Sequence, residues 1–154
     1  MFNQLVPRQA DNSYEGRKLA LWIFALVLLV LAAMSVNSIF NGHYVAKDID
    51  GLPLDTYTPA GVQAVVSLFA IWGGTQLIIV MLGIITMLRY RALVPLMFMA
   101  LLFQQLLMRV IHYYLPIAKS EGVSISWFIV LLMSLMALGF ILSIWRRRAR
   151  AASS

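Results

Sequence analysis

The sequence predicts an all-α integral membrane protein, a bundle of four transmembrane helices. Three observations predict it. The chain of 154 residues is 62% hydrophobic and only 12% charged. That is about half the charge of an ordinary soluble domain, too little to cover the molecule with a polar surface. The apolar residues gather in four runs, at about 19–40, 61–88, 94–115 and 124–145. Each supplies the roughly 20 residues that cross a hydrocarbon core. Backbone groups in lipid must be bonded internally, so only helices or closed barrels span it, and runs this long exclude barrel strands.

Each run has its own boundary signals. The first follows a polar tail, residues 1–18, and exceeds the 7–15 apolar residues typical of a cleaved signal segment. It is expected to stay as a helix. The second opens at Pro59 and Gly61, and its length lets it tilt or project beyond the bilayer. The third carries Pro95 in its first turn, where proline costs little, and closes at Pro116. The fourth runs into the basic stretch 146–150. Only 41–60 is a sizeable loop; 89–92 and 116–123 are short connections. With no internal repeat, residues 1–154 read as a single transmembrane domain with short tails.

Charge sets the expected orientation. Arg8, Arg17, Lys18, Arg89, Arg91, Arg146, Arg147, Arg148 and Arg150 fall on one side; only Lys47 and Lys119 fall on the other. Basic residues stay cytoplasmic, so both termini are expected inside. Trp22, Tyr90 and Trp145 mark the inner boundary, and Phe40, Tyr44, Tyr113, Tyr114 and Trp127 the outer one. The net charge of +6 is thus a topology signal and gives no reason to expect nucleic acid. The 146–150 stretch reads as an ordinary anchor, or as a lure for anionic lipid worth roughly 1 kcal/mol per basic residue. The absence of cysteine excludes disulfides, thiolate metal sites and thiol catalysis.

The twelfth basic residue, Arg109, lies inside the third run. It sits about 9 Å below the outer end at 1.5 Å of rise per residue. Gln105, Arg109 and His112 stand at i, i+4 and i+7, so they share one helical face. A polar stripe in a span is expected to face the bundle interior. Ser35, Asn37 and Ser38 on helix 1, and Gln63 and Ser67 on helix 2, lie at matching depth, so an outer-half polar pocket is expected. Gln76, Gln104 and Gln105 form a deeper layer near the midplane. The inner halves are mostly apolar, which argues against a continuous hydrophilic channel.

Arg109 cannot shed its charge, and no carboxylate lies within the four runs. One reading has it snorkelling outward to Asp48, Asp50, Asp55 or Glu121. The other makes it the anchor of an anionic or carbonyl-bearing ligand, with His112, Gln105 and Asn37 beside it. His43 and His112 are the only histidines. A metal site needs further ligands or a defined second shell, so no metal site is expected. On helix 2, Ser67, Ala70, Gly73 and Gly74 make a small-residue stripe suited to close helix packing, with Gln76 bonding across it. The nine methionines read as adaptable packing.

The segments "GGTQLIIVMLG" (73–83), "RYRALVPL" (89–96) and "LMRVIHY" (107–113) resemble the small four-helix bacterial membrane proteins of the DoxX-like families. The likeness is closest to a branch with a Gly-Gly-x-Gln segment. It covers residues 15–145 in layout, but only helices 2 and 3 in residues. It implies a four-helix bundle in a bacterial inner membrane. Some DoxX-like members are associated with quinone-linked oxidation or sulfur metabolism, often as accessory subunits. Gly73, Gly74, Gln76 and Arg109 are the positions the resemblance carries over.

Three functions follow as expectations. The chain binds a lipid-like or quinone-like amphiphile in the outer-half pocket. Alternatively it is a non-catalytic accessory subunit, meeting a membrane-protein partner or a second copy. Third comes a component of a quinone-linked redox enzyme. The sequence assigns no catalytic residue, because it shows no paired carboxylates and no nucleophile with a placed base. It names no cofactor. Membrane lipids are the one expected partner common to all three.

Overall fold

The computed structural model describes Asp11, Asn12, Tyr14, residues 16–116 and residues 126–145. Lys119, Glu121, the start of the fourth predicted span and the basic stretch 146–150 lie outside the described residues. Four long helices carry the fold: α1, Lys18–Phe40; α2, Pro59–Arg89; α3, Val94–Tyr114; and α4, Ser126–Ile144. All are long and apolar enough to cross a membrane. The protein is an all-α bundle, and by the length and hydropathy of its helices a multi-pass membrane protein.

Local chemistry explains the helix ends. Thr58 caps α2, its hydroxyl accepting from the Gly61 N–H at 3.2 Å. Pro59 follows at the first helical position, where its missing N–H is no loss. Tyr90 ends α2 in a non-helical conformation, and the single turn Arg91–Leu93 leads into α3. Arg91 folds back to donate from Nε to the Met87 carbonyl at 3.1 Å, satisfying one of the orphan carbonyls of a helix C-terminus.

At 31 residues, α2 is about 46 Å long, well beyond a hydrocarbon core about 30 Å thick. The surplus has a use. The segment after α1, expected as a plain loop, folds into a helical turn Gly42–Tyr44, a π turn Val45–Ile49 and a 3-10 turn Leu54–Thr56. Ala46, Leu52 and Leu54 form a small buried cluster, and Val62, Val65 and Phe69 of the α2 extension wall it in. Gly51, at φ 73°, makes the reversal that a side chain would strain. Lys47 donates to Asp55 at 2.8 Å across the top. We call this the cap end and the opposite face the terminal end.

The main core draws on all four helices. Along α1 the buried positions Ala20, Phe24, Val27, Leu31, Ser35 and Ser38 recur at helical spacing. Phe24 meets Phe98 of α3 with ring centroids 5.0 Å apart. Met136 of α4 is fully buried beside them. Three glycines set the close approaches. A Cβ on Gly73 would stand 2.8 Å from the Ser35 carbonyl and 2.9 Å from the Ser38 Cβ; one on Gly83 would meet Leu28, and one on Gly139 would meet the Phe98 ring.

The ring of helices runs α2, α1, α4, α3, with extensive packing at each of those three seams. The fourth seam, between α3 and α2, is slight, although these two helices are consecutive in sequence. The chemistry of α3 gives the reason. Its first half offers Val94, Pro95, Phe98 and Leu101, all buried. Its second half carries Gln104, Gln105, Arg109 and His112, which cannot enter an apolar core unpartnered. Beyond Leu101 no α3 residue is buried.

The terminal end is closed by the chain ahead of α1. The Ala92 N–H donates to the Asp11 carbonyl at 3.4 Å, and the Arg17 N–H donates to the Leu142 carbonyl at 3.2 Å. The Arg17 guanidinium lies over the Trp145 ring, 5.1 Å from its centroid. Tyr14 tucks against the core. Its hydroxyl is buried without a partner among the described residues, and burial pushes its pKa up to about 12.

Candidate functional site

Polar side chains in the spans sort into two groups. The first is the amide pair that closes the α2–α3 seam. Gln104 donates through Nε2 to Oε1 of Gln76. Gln76 is only 4% exposed, and its own Nε2 has no acceptor among the described residues. Gln104 is half-buried. An amide in lipid must find a partner, and each of these two provides one for the other. The pair marks the level at which α3 leaves the bundle.

The second group is the stripe above it. Gln105 is half-buried, while Arg109 and His112 are exposed. The His112 Nδ1–H donates to the Met108 carbonyl, one turn back, at 2.8 Å. Because a carbonyl only accepts, this fixes Nδ1 as the protonated nitrogen, and in the neutral ring Nε2 is the free acceptor. Arg109 has no ion pair or hydrogen bond among the described residues. Asp55, one of the acids expected to reach it, is bonded to Lys47 instead. That bond, together with the Asp55 charge, raises the Lys47 pKa.

The residues expected to line an outer-half polar pocket do not all gather in one place. Ser35 and Ser38 belong to the α1–α2 contact: both are buried, and the Ser35 hydroxyl donates to its own helix at Leu31, 2.7 Å away. Asn37, on α1, is half-buried and accepts from Asn41 at 2.9 Å. Gln63 and Ser67 are exposed on α2. Of the predicted ligand-binding set, the structure keeps Gln105, Arg109 and His112 together on one helix and leaves Asn37 elsewhere. The set occupies the half of α3 that follows its last buried residue, Leu101.

The helix-packing stripe also needs correction. Gly73 and Gln76 are on it, continued by Val80, Gly83 and Thr86, all buried. Ser67 is exposed, Ala70 half-buried, and a Cβ on Gly74 would meet nothing within 4 Å. So the small residues of α2 lie on two faces. Gly73 meets α1; Ser67 and Gly74 look outward. Adjacent glycines at 73 and 74 gave no hint of which one packs. Gly83 and Gly139 were missed, and their only signal is glycine inside an otherwise bulky apolar helix.

Among the described residues no three His, Asp or Glu side chains gather as a metal site requires. Comparisons of the chain with protein-family models, with curated proteins and with solved structures each found no match.

Proposed function

We propose that this protein holds a lipid-like or quinone-like amphiphile against the cap-end half of α3. In this reading it sits in a bacterial inner membrane with both termini and the α2–α3 turn in the cytoplasm. The basic residues of the terminal end support that orientation, and the four-helix layout accords with a DoxX-like bundle. One observation carries the reading: Arg109 lies within a span, exposed, with no protein partner among the described residues. A permanent charge at such depth costs up to about 2.5–3.5 kcal/mol unless something neutral-seeking or anionic meets it. An amphiphile with a polar head supplies that partner, and its tail lies along Phe103, Leu106 and Val110, all exposed.

The test is the amount of lipophile that co-purifies per protein, measured after solvent extraction. Wild type is expected to retain about one equivalent. Arg109→Lys should retain markedly less, because lysine lacks the planar bidentate fork, and Arg109→Met should retain none. Unchanged content in Arg109→Met would remove the proposal.

A second reading, the accessory subunit, is favoured by the outward face of α2. Exposed Ser67 and open Gly74 suit close approach by another helix, from a partner protein or a second copy. Gly74→Leu would block that approach without touching α3. Loss of a partner or of the dimer in crosslinked membranes, with lipophile content intact, would separate the two readings.

A further inference from the structure

We infer that the amphiphile is a phospholipid whose head group carries a hydrogen-bond donor beside its phosphodiester, and that α3 reads it in three steps. The inference rests on the amphiphile reading above and narrows its ligand class. From the cap end downward, α3 presents an acceptor, a guanidinium and an amide. His112 offers its Nε2 acceptor, since Nδ1 is engaged by the Met108 carbonyl. Arg109 offers a planar cation with no partner among the described residues. Gln105 offers a half-buried amide. A phospholipid presents its groups in the matching order: head-group donor, phosphodiester, ester carbonyl. Arg109 to His112 is about 4.5 Å along the axis, and Gln105 to Arg109 about 6 Å. All three lie on one face, with neighbouring Cβ atoms about 5–6 Å apart.

Helix geometry argues against Arg109 simply reaching up to water. In an α-helix the Cα–Cβ bond leans toward the N-terminus, and the N-terminus of α3 is at the terminal end. The Arg109 side chain therefore leaves the backbone away from the cap end. A phosphate drawn down beside α3 meets it with less distortion than a snorkel against that direction. Arginine suits the site because it pairs bidentately with phosphate. The Tyr113 and Tyr114 rings, packed edge to face at 5.4 Å, stand one turn higher, at the level where aromatic rings meet head groups. A quinone ring offers one pair of carbonyls and would leave this ladder largely unused.

The donor requirement separates head groups. Ethanolamine has an ammonium N–H and glycerol has hydroxyls; choline has neither. The experiment is native mass spectrometry of the purified full chain, delipidated and then offered dioleoyl phosphatidylethanolamine, phosphatidylglycerol or phosphatidylcholine at equal concentration. Wild type is expected to retain the first two at least about tenfold more than the third. The ethanolamine and glycerol arms identify which donor His112 prefers. His112→Phe should bring all three to the phosphatidylcholine level, and Arg109→Met should lose all three. Should Arg109→Met fail to fold, the head-group preference of wild type against His112→Phe still decides. Equal retention of all three lipids by wild type would overturn the inference. So would a co-purified lipophile without phosphorus that is lost in Arg109→Met, an outcome that keeps the amphiphile reading. No lipophile of any kind would overturn both.

Discussion

At the scale of single residues, the amide pair and Tyr14 make opposite predictions. Gln104 donates to the Gln76 carbonyl where lipid could offer no partner, while the Gln76 Nε2 has no acceptor among the described residues. Gln104→Leu leaves a buried amide alone, and should destabilise by roughly 1–2 kcal/mol. The double change Gln76→Leu with Gln104→Leu removes both polar groups and should recover most of that loss, because apolar replacement of both partners is nearly neutral. Denaturation of the purified protein in detergent reads both; a double variant as weak as the sum of the singles would disprove the pairing. Tyr14 has a buried hydroxyl with no partner among the described residues, so Tyr14→Phe should be neutral or stabilise by up to about 1 kcal/mol. Its pKa, about 12 in the fold, exceeds the ordinary value near 10. The unfolded chain therefore ionises first, and the folded state loses stability as pH rises from about 10 through about 12. Phenolate absorbance should show a late-titrating component that disappears in Tyr14→Phe.

At the scale of the helix, adjacent glycines on α2 should behave differently. Gly73→Ala pushes a Cβ against the Ser35 carbonyl and the Ser38 side chain, backbone that cannot yield without separating α1 from α2. It should cost about 1–3 kcal/mol. Gly74→Ala meets nothing and should be neutral or stabilise by up to about 1 kcal/mol through better helix propensity. Melting temperatures of the two variants check this; equal losses would misplace the α1–α2 contact. The helices were legible in the sequence because hydrophobic length and proline placement are local signals. Which face of α2 packs was not, since Ser67, Ala70, Gly73 and Gly74 are all small and the choice belongs to the partner helix. The Gln105–Arg109–His112 stripe was legible as a face, for spacing alone defines it. That the face stays uncovered depends on where α3 leaves its neighbours, a tertiary outcome no periodicity records. The cap has no such signal, because its three short turns are held by tertiary contact with the α2 extension and carry no pattern of their own.

At the scale of the molecule, the two ends differ in charge and in construction. The cap end is a small folded cluster carrying Asp48 and Asp55; the terminal end carries Arg17, Lys18, Arg89 and Arg91. If the basic end is cytoplasmic, a cysteine replacing Asn12 and one replacing Asp48, both at exposed positions, should react with an impermeant thiol reagent from opposite sides of intact cells. Reaction from the same side would contradict the four-span arrangement. The lack of any native cysteine makes this measurement free of background.

The seam between the first helix and the last has a consequence for biogenesis. α1 packs along α4, and the segment before α1 bonds to Leu142 and Trp145 at the far end of the chain. Ribosomal synthesis delivers these partners after α1, α2 and α3. Until then Ile23 and Phe24 lack part of the wall that buries them, and the N-terminal segment has its Ala92 contact but not those to Leu142 and Trp145. The α1–α4 seam therefore closes only once α4 has joined the three helices made before it. A chain cut short before α4 would be left as three inserted helices without the α4 wall, a natural substrate for membrane proteolysis.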